Sequence, residues 1–457
     1  MTLKKPFLLC VLVLSSYFSL YAQETDFSNV KLEQDTSTLR ITLDDAIDLA
    51  LARNWDVLYS KKETESSKAQ YQMALGGLLP NLSLAGTYNN FVLRARKIQG
   101  ANTTANPSPY TRTVSDGSIY NFDGQLNLSQ VIFNLSTFVG VKYAKGGVEL
   151  SRLGEKVQEQ ETILAVKMAY YDILLAKDLL QVSEESYSYS KANLDNVAKF
   201  YKQGVSSEYD LLQAEVQLAN SEPGLIQARN NLELAYIGLK TLLALPARRK
   251  LQIESGFSRY MSFKPFLDSL PEFDIKKNYG YQSLELQRKL AKQNVAIAKS
   301  SFWPVLSLVG TWDATGNNNH LRLNDYFWTD KIELGVSLSF NLFSGFQNKA
   351  QVKMARIAKD EVDIQLGQLQ NNLEQQSTEY TLNMDEAYNR IEAQQKGLET
   401  ARKALNIAFS RYLNGVGTQL EIINNQSLFT EARSNFSQAI YDFLVARANY
   451  QALMNIR

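Results

Sequence analysis

The sequence has few of the residues on which metal and thiol chemistry depend. Among its 457 residues it holds one cysteine, Cys10, and one histidine, His320. Cys10 lies in an N-terminal apolar segment that we expect to be removed, so the mature chain would have no disulfide and no thiolate metal site. His320 stands in the turn-prone stretch GNNNH, with no second histidine or cysteine to share a metal ion. We therefore expect no metal site and no cofactor.

The chain also lacks a surplus of charge of either sign. It carries 48 lysines and arginines against 47 aspartates and glutamates, a formal net charge of +1. A basic surplus is the usual mark of a protein that binds nucleic acid, so no such partner is expected. The sequence has no glycine-rich phosphate loop and no recognisable pair of nucleophile and base, and we therefore do not expect an enzyme.

Long apolar runs are absent after residue 22. Residues 1–22 have the features of an export signal, because Lys4 and Lys5 precede an apolar run of about 15 residues and the small residue Ala22 stands before the expected cleavage point. Such a run is too short to cross a bilayer comfortably, and no later stretch approaches the roughly 18 apolar residues of a transmembrane helix. The protein is thus predicted to be exported and to have no transmembrane helix.

Proline is scarce, and its absence from long stretches permits long helices. The chain has nine prolines, with none from 110 to 222 and none after Pro304. Apolar residues in these stretches recur at spacings of three and four, the heptad pattern of coiled coils. The pattern predicts long helices over 136–202 and 347–413, each about 100 Å long, and shorter return helices over about 207–245 and 418–455. Pro223, inside the first return helix, predicts a kink or a break there.

Three pairs of similar segments indicate an internal duplication. They are LLPNLSLAGTY (78–88) with FWPVLSLVGTW (302–312), QLNLSQVIF (125–133) with GVSLSFNLF (335–343), and FYKQGVSSEYDLL (200–212) with SRYLNGVGTQLEII (410–423). The predicted organisation is a signal segment 1–22, a first repeat 23–246 with a helical hairpin at 136–245, a linker 247–280, and a second repeat 281–457 with a hairpin at 346–455.

Each repeat also contains two strands with alternating apolar and polar residues. The strands are expected at about 80–94, 120–134, 304–313 and 331–343, and Pro80 and Pro304 mark the junctions at which a helix gives way to a strand. In the last strand, Ile332, Leu334 and Val336 oppose residues such as Glu333 and Ser337. This pattern is typical of transmembrane β-strands, which place apolar side chains toward lipid and polar ones toward a wet lumen. A half-buried strand of a soluble sheet would show the same alternation.

The number of strands has a consequence for assembly. Four strands cannot close into a barrel, and in a bilayer an open sheet edge leaves backbone N–H and C=O groups unpaired at a cost of several kcal/mol each. We therefore expect the chain to oligomerise. Two copies would supply eight strands and a filled interior, whereas three copies would supply twelve strands and an open one. Serine, asparagine and glycine on the inward face favour the open version.

Taken together, these features resemble the TolC family of outer-membrane efflux and secretion channels. The resemblance rests on the opening segment ITLDDAIDLALARNWDVLYSKK, the two strands led by Pro80 and Pro304, the segment LSFNLFSG before a long helix, and the paired YxxGV turns. It implies a helix-dominated membrane protein that forms a homotrimer. Twelve strands would build a β-barrel in the outer membrane of a Gram-negative bacterium, in contact with its lipid, and twelve helices would build a tunnel, or α-barrel, in the periplasm.

The resemblance further implies a function and a set of site residues. The trimer would be the exit duct of an efflux or secretion system, with an inner-membrane transporter and a periplasmic adaptor as partners. Asp210, Glu421 and Tyr412 would form the periplasmic constriction and its latch. The adaptor would dock on the hairpin tips, which contain Gly204, Val205, Ser206, Gly415, Val416 and Gly417.

Alternatives remain open at this stage. Asp210 and Glu421 also fit ordinary acidic residues at helix starts, where the helix dipole favours them. Gly417 and Asn424 occupy positions where some members of the family carry charged residues, so the latch of this chain is expected to differ. A periplasmic coiled-coil adaptor or scaffold is the alternative function. The cargo, whether drug, metal ion, siderophore or polypeptide, is not readable from the sequence.

Overall fold

The computed structural model describes residues 38–90, 120–254, 256–257, 270–322 and 325–457. The expected export signal, residues 1–22, lies outside the described residues, as do residues 91–94 of the first expected strand. Helices make up most of the described chain, as the sequence predicts. None of the described helices combines the length and the apolar character needed to cross a membrane.

The described elements follow the same order in both halves of the chain. The first half contains β1 (Leu39–Ile41), α1 (Leu43–Arg53), α2 (Trp55–Gly76), β2 (Asn81–Asn90), β3 (Tyr120–Phe133), α3 (Leu135–Lys202), α4 (Glu208–Leu242) and β4 (Leu251–Ile253). The second half contains a short 3-10 helix (Ile275–Lys277), α5 (Tyr279–Ser300), β5 (Val305–Asn318), β6 (Phe327–Ser339), α6 (Gln347–Leu413) and α7 (Gln419–Leu453). Each half thus runs through a short helix, two strands, a long helix and a return helix.

The other helices pack against the long helices α3 and α6. On the side of the hairpin tips, α4 packs on α3, α7 packs on α6, and α3 meets α7, so that the two hairpins lie side by side. On the side of the strands, α2 packs on α3, and α5 lies between α3 and α6. Helices α2 and α4 therefore form one lateral margin of the protein, and α6 forms the other.

Two asparagine side chains join the start of each short helix to the end of a return helix. Asn54 caps α2, because its Oδ1 accepts a hydrogen bond from the Asp56 N–H at 2.9 Å. The Nδ2 group of the same side chain donates to the carbonyl oxygen of Leu242, the last residue of α4, at 3.0 Å. In the second repeat the Asn278 Nδ2 donates to the Leu453 carbonyl oxygen, also at 3.0 Å. Each short helix and its return helix consequently extend end to end along one long helix.

The core lies where these helix ends meet. A buried apolar cluster there draws on α1, α3, α4, α6 and α7, and its fully buried side chains include Ile47, Tyr170, Leu239, Met384 and Phe443. The short strands β1 and β4 pair in parallel beside it. Burying a side chain of this size contributes roughly 1.5–3 kcal/mol, so this region anchors the two repeats to each other.

The four longer strands form one antiparallel sheet in the order β2-β3-β5-β6. Strands β3 and β5, which come from different repeats, pair in the middle. Strands β2 and β6 lie at the edges, and every residue of both is exposed. The sheet is open in the described chain, which leaves the backbone groups along both edges unpaired.

The strands of the second repeat differ from those expected at 304–313 and 331–343. Strand β5 continues to Asn318, whereas β6 begins at Phe327 and ends at Ser339. Ser339 pairs with Val305, the first residue of β5, so the ladder has no partner strand beyond this point. Apolar alternation through Leu342 is therefore not sufficient to extend the strand. The chain instead turns into α6 through Gly345, whose φ of +59° suits glycine.

A break at Pro223, one of the two expected outcomes, is absent, since α4 is one continuous helix from Glu208 to Leu242; a kink there stays a prediction. Proline lacks the N–H group that would bond to the preceding turn, and its ring crowds that turn. Packing of α4 along α3 keeps the helix intact across this position. Tertiary contacts here outweigh the local preference of proline.

Candidate functional site

The first hairpin tip is a glycine-centred turn between α3 and α4. Gly204 has a φ of +75°, in the left-handed region that glycine adopts without strain. The Val205 N–H donates to the Phe200 carbonyl oxygen at 2.9 Å, and the Gly204 N–H donates to Tyr201 at 2.9 Å. These bonds satisfy the carbonyl groups at the end of α3. The turn projects Val205 into solvent, where 72% of its surface is exposed.

The second tip, between α6 and α7, repeats this geometry. Gly415 has a φ of +74°, and the Val416 N–H donates to the Arg411 carbonyl oxygen at 3.0 Å. Gly417 follows, and a Cβ atom at this residue would lie 2.9 Å from the Tyr412 backbone nitrogen. A side chain of any kind is therefore excluded there unless the turn shifts. The turn as it stands therefore leaves no room for the charged side chain that the family resemblance leads one to look for at this position.

Both expected carboxylates begin the return helices. Asp210 forms a capping box with Ser207, in which the Asp210 N–H donates to the serine hydroxyl at 3.1 Å and the Ser207 N–H donates to Asp210 Oδ2 at 3.2 Å. The Glu421 N–H donates to the Thr418 hydroxyl at 3.2 Å. The two acids thus hold the helix-start positions that the sequence offered as the alternative interpretation. Both side chains remain partly accessible.

Tyr412 connects the two tips. Its hydroxyl lies 3.2 Å from the Ser206 hydroxyl, and its ring centre lies 6.1 Å from that of Phe200. Ser206 also donates to Asp210 Oδ2 at a long 3.4 Å. The structure thus places Tyr412, Ser206 and Asp210 in one chain of contacts. The Glu421 carboxylate lies against Arg411 instead.

Arg411 is a tip residue that the sequence did not single out. Its Nε lies 3.5 Å from Glu421 Oε2, and its Nη2 donates to the Val416 carbonyl oxygen at 3.2 Å. The arginine therefore spans the second tip and pairs with the carboxylate that follows it. Arg411 and Glu421 are 10 residues apart and lie on two different helices. Their pairing therefore shows none of the three- or four-residue spacing by which a sequence indicates an ion pair within one helix.

Above the tips, polar side chains cross between α3 and α7. Tyr441 donates to Asp172 Oδ1 at 2.7 Å, and Arg433 donates to Asp178 Oδ1 at 3.1 Å. Burial, together with the bond to Asp172, raises the pKa of the Tyr441 hydroxyl above its usual value. The seam between the hairpins is thus rich in hydrogen bonds, unlike the apolar core.

Lys167 is a buried cation in the same seam between α3 and α7, farther from the hairpin tips. Its Nζ donates to Gln451 Oε1 at 2.8 Å, and only 5% of the residue is exposed. Burial, with repulsion from Arg447 and Arg457, lowers the pKa of the Lys167 amine to about 8, although Asp44 acts in the opposite direction. Keeping this lysine charged at neutral pH therefore lowers the stability of the folded state.

The sheet has one polar face that runs across all four strands. Two adjacent rows of paired residues show it: Thr87, Asp123, Thr315 and Thr329, and then Ala85, Gln125, Asp313 and Lys331. These side chains line a depression of about 460 Å³. A face of this composition suits contact with water, as in the lumen of a channel.

The opposite face is apolar and carries an aromatic row. Tyr88, Phe122, Gly316 and Trp328 pair across the four strands. The ring centres of Tyr88 and Phe122 are 4.9 Å apart, and those of Phe122 and Trp328 are 6.4 Å apart. A Cβ at Gly316 would lie 2.9 Å from the Trp328 ring, so glycine makes room for it. Such rows mark the interface between bilayer and water in membrane β-barrels.

The remaining predicted residues, Pro80 and Pro304, lie where the sequence placed them. Pro80 immediately precedes β2, and Pro304 immediately precedes β5. In both repeats the helix ends four residues before its proline, at Gly76 and Ser300. Among the described residues, no cluster of histidine, cysteine, aspartate or glutamate could hold a metal ion.

Comparison with known proteins gives a consistent result. A family model described as "Outer membrane efflux protein" matches residues 46–245 and 277–455. The chain is 22% identical over 414 residues to the outer membrane protein TolC of Escherichia coli K12, an alignment that covers 88% of this chain and 79% of that protein. It is 22% identical to the alkaline protease secretion protein AprF of Pseudomonas aeruginosa, covering 88% of this chain and 82% of AprF.

A solved structure shares the fold. The outer membrane channel CmeC of Campylobacter jejuni superimposes with a TM-score of 0.74 at 20% sequence identity. The superposition covers 90% of this chain and 85% of CmeC. Long helical hairpins joined to a small sheet are therefore shared with a known outer-membrane channel, although most of the individual residues differ.

Proposed function

The chain belongs to the outer membrane efflux protein family, and from this membership we propose that three copies of it form a channel-tunnel through the outer membrane and the periplasm. Its function is that of an exit duct for efflux or secretion. The two repeats, 23–246 and 281–457, each supply two strands and one helical hairpin. A trimer then has twelve strands for the barrel and six hairpins, or twelve helices, for the tunnel.

The open sheet with two exposed edges is the observation that carries this proposal. Leu84 on β2 and Leu334 on β6 are 56% and 75% exposed, although both lie on the apolar face. An isolated sheet of this kind would leave apolar side chains in water and backbone groups unpaired in lipid. Contact with lipid removes the first cost, and pairing β2 of one copy with β6 of the next removes the second. Because the two edges differ, repetition around an axis gives a ring.

The helices support the same arrangement. The margin formed by α4 exposes Val216, Ile226 and Leu234, and the opposite margin formed by α6 exposes Ile364 and Leu382. Each of these residues is more than half exposed. Packing α6 of one copy against α4 and α2 of its neighbour would bury both margins. The helical margins therefore follow the same order around the ring as the sheet edges.

We further propose the partners. The exposed tip residues Val205, Tyr209 and Val416 offer an apolar surface at the end of each hairpin, which suits docking of a periplasmic adaptor. An inner-membrane transporter would deliver the cargo through that adaptor. Selection of the cargo then belongs to the transporter and the adaptor. AprF is named for protease secretion, and a polypeptide is accordingly one cargo class to test.

The latch is proposed at the contact between the tips. Tyr412 and Ser206 would hold the two hairpins of one copy together, and Asp210 would be oriented by Ser206 and Ser207. Glu421, paired with Arg411, would contribute less free charge to the constriction than an unpaired carboxylate does. Opening then requires the hairpins to separate at Tyr412.

A fractionation experiment tests the exit-duct proposal. The full chain, exported from a Gram-negative host, is expected in the outer-membrane fraction as a trimer that resists SDS until heated, and the purified trimer should conduct ions across a planar bilayer. Recovery in the soluble periplasmic fraction would favour the coiled-coil scaffold instead.

The adaptor is tested by crosslinking from a unique cysteine. A photoreactive label on Ser207→Cys, at the first tip, should capture an adaptor protein in whole cells. The matched control is Thr378→Cys, which is also exposed but lies about 50 Å up helix α6 at 1.5 Å per residue. Equal capture of the same protein from both sites would contradict docking at the tips.

A further inference from the structure

The internal duplication relates the strands of the two repeats residue by residue. The aligned segments are 78–88 and 302–312 for β2 and β5, and 125–133 and 335–343 for β3 and β6. The hairpins of the sheet agree with this alignment. Asn81 pairs with Ser129 in the first repeat, and their counterparts, Val305 and Ser339, pair in the second. Both repeats therefore form the same hairpin in the same register.

Within one chain the two hairpins meet where β3 pairs with β5. In this ladder Leu128 lies opposite Gly310. Strand β3 pairs with β2 only as far as Ser129. Its remaining residues, to Phe133, pair with β5 alone, and the register shifts once, at Ile132. The last part of β3 is therefore a strand only because the other hairpin lies beside it.

The contact between two copies joins the counterparts of β3 and β5. Strand β6 corresponds to β3, and β2 of the next copy corresponds to β5. Neighbouring strands are antiparallel throughout the sheet, so β6 and this β2 are antiparallel as well. A ring built from equivalent hairpins can repeat one kind of contact between them. The register of β3 on β5 therefore predicts the register of β6 on β2 of the next copy.

The end of β6 has the features of a strand without its partner. In the single chain β6 ends at Ser339, where its pairing with β5 ends. The apolar residues that follow are uncovered, since Phe340 is 51% exposed and Phe343 is 75% exposed. Their counterparts, Gln130 and Phe133, belong to β3 and pair with β5. A second copy of the chain would supply the corresponding partner for β6.

The transferred register also matches the two faces of the sheet. It places Phe340 opposite Leu84, and both side chains then lie on the apolar face. Leu84 is itself 56% exposed in the single chain. Asn341 lies opposite Ser83, and both then lie on the polar face. A shift of one residue would instead set apolar side chains against polar ones, because successive residues of a strand point to opposite faces.

We propose that β2 of each copy completes β6 of its neighbour in the register of the β3–β5 pair. Strand β6 then extends from Ser339 to Phe343, with a bulge at Leu342 that corresponds to the one at Ile132. The inference rests on the proposed trimer, because it specifies the contact between its copies. The predicted pairs, with the second residue in the next copy, are Val336–Tyr88, Ser337–Thr87, Leu338–Gly86, Ser339–Ala85, Phe340–Leu84, Asn341–Ser83 and Phe343–Leu82.

Disulfide crosslinking tests this register, since the mature chain is expected to have no cysteine of its own. The two matched variants are Ser337→Cys with Thr87→Cys, and Asn341→Cys with Ser83→Cys. Residues directly opposite in an antiparallel ladder have Cα atoms about 4.5–5.5 Å apart, which a disulfide can bridge. After oxidation of outer membranes that contain the full chain, heated samples without reductant should show covalent dimers and trimers.

Shifted pairs are the controls for the crosslinking. Ser337→Cys with Ala85→Cys, and Asn341→Cys with Ala85→Cys, move one cysteine by two residues and keep it on the same face. The Cα atoms would then be about 7–8 Å apart, too far for a disulfide, so the matched variants should give about tenfold more multimer. A bond between Ser83→Cys and Asn127→Cys, which pair within one chain, should leave the mass unchanged.

Hydrogen exchange tests the extension of β6 in the wild-type trimer, where no substitution can disturb folding. Backbone amides of residues 340–343 should be protected as strongly as those of residues 130–133, their counterparts in β3. Strand amides that are hydrogen-bonded exchange only when the structure opens. Exchange of residues 340–343 at the rate of an unstructured peptide would overturn the extension.

The outcomes separate this inference from the exit-duct proposal. If wild-type trimers conduct ions but multimers form from the shifted pairs, or from none of the pairs, the register is refuted and the duct stands. A bond between β2 and β6 at the mass of one chain would likewise refute the register. If the matched pairs form multimers but the wild-type trimer never conducts, the duct is refuted and the register stands.

Discussion

The hydroxyl of Tyr412 lies 3.2 Å from the hydroxyl of Ser206, 206 positions away in the sequence, and this contact joins the tips of the two helical hairpins. Ser206 contacts Asp210 in turn, at 3.4 Å. The tips are therefore coupled through hydroxyl groups, whereas the ion pair Arg411–Glu421 stays within the second tip.

The first prediction concerns this contact. Tyr412→Phe removes the hydroxyl but keeps the ring against Phe200, so it should weaken the contact between the tips by about 1 kcal/mol, a typical net value for one hydrogen bond. Single-channel recordings should show a higher open probability. Ser206→Ala should have a similar effect, and the double variant should be no more open than either single variant. Additive effects would show that the two hydroxyls act separately.

The second prediction concerns the carboxylates at the tips. Asp210→Asn together with Glu421→Gln should lower the preference of the open channel for cations, because the pair removes negative charge from the proposed constriction. Reversal potentials in a salt gradient measure this preference. Glu421→Gln alone should have the smaller effect, since Arg411 lies 3.5 Å from its carboxylate. Unchanged reversal potentials in the double variant would remove both residues from the constriction.

The third prediction compares neighbouring residues on opposite faces of β6. Val336 is on the apolar face and Ser337 is on the polar face. Val336→Arg should prevent outer-membrane assembly, because an arginine on the lipid face costs about 2–4 kcal/mol at the bilayer midplane. Ser337→Arg, one residue away, should assemble normally. Quantifying SDS-resistant trimer for both variants tests which face meets lipid, and equal yields would contradict the assignment.

The fourth prediction concerns the two stacking asparagines. Asn54→Asp retains the cap of α2, because a carboxylate oxygen accepts as the amide oxygen does, but it cannot donate to the Leu242 carbonyl oxygen when ionised. Asn54→Ala loses both contacts. We expect Asn54→Ala to cost about 1–2 kcal/mol, seen as a lower thermal midpoint. The same substitutions at Asn278 should behave alike, and a stabilising effect at either residue would contradict the stacking.

The fifth prediction concerns the buried Lys167. Its pKa in the folded protein, about 8, lies below the ordinary lysine value of 10.5, so between these pH values the unfolded chain binds a proton that the folded chain does not. Stability against unfolding should therefore rise with pH from about 8 to about 10, by roughly 1–3 kcal/mol. Lys167→Met should be more stable than wild type at pH 7 and should lose this dependence. Calorimetry of both proteins at pH 7, 8, 9 and 10 provides the measurement, and parallel pH profiles would refute the shift.

The long helices were readable from the sequence because two strong signals agree there. Proline-free stretches with heptad spacing predicted helices over 136–202 and 347–413, and the structure has them at Leu135–Lys202 and Gln347–Leu413. The Gly-Val pair that follows each long helix likewise indicated the turns at Gly204 and Gly415. Local signals of this kind act within a few residues and do not depend on the rest of the fold.

Contacts between the repeats were not readable in the same way. The Tyr412–Ser206 contact and the Asn54–Leu242 bond join residues that are 206 and 188 positions apart, and nothing in either segment alone specifies its partner. The continuity of α4 through Pro223 also depends on packing against another helix. The exclusion of a side chain at Gly417 depends on backbone atoms of the preceding turn, which only the folded tip brings close.

The number of copies in the purified protein tests the central claim most directly. The mass of the detergent-solubilised, full-length mature protein, measured by light scattering with correction for bound detergent, should correspond to three chains. The open edges of β2 and β6 require this association. A monodisperse single chain that is stable in water without detergent would contradict it.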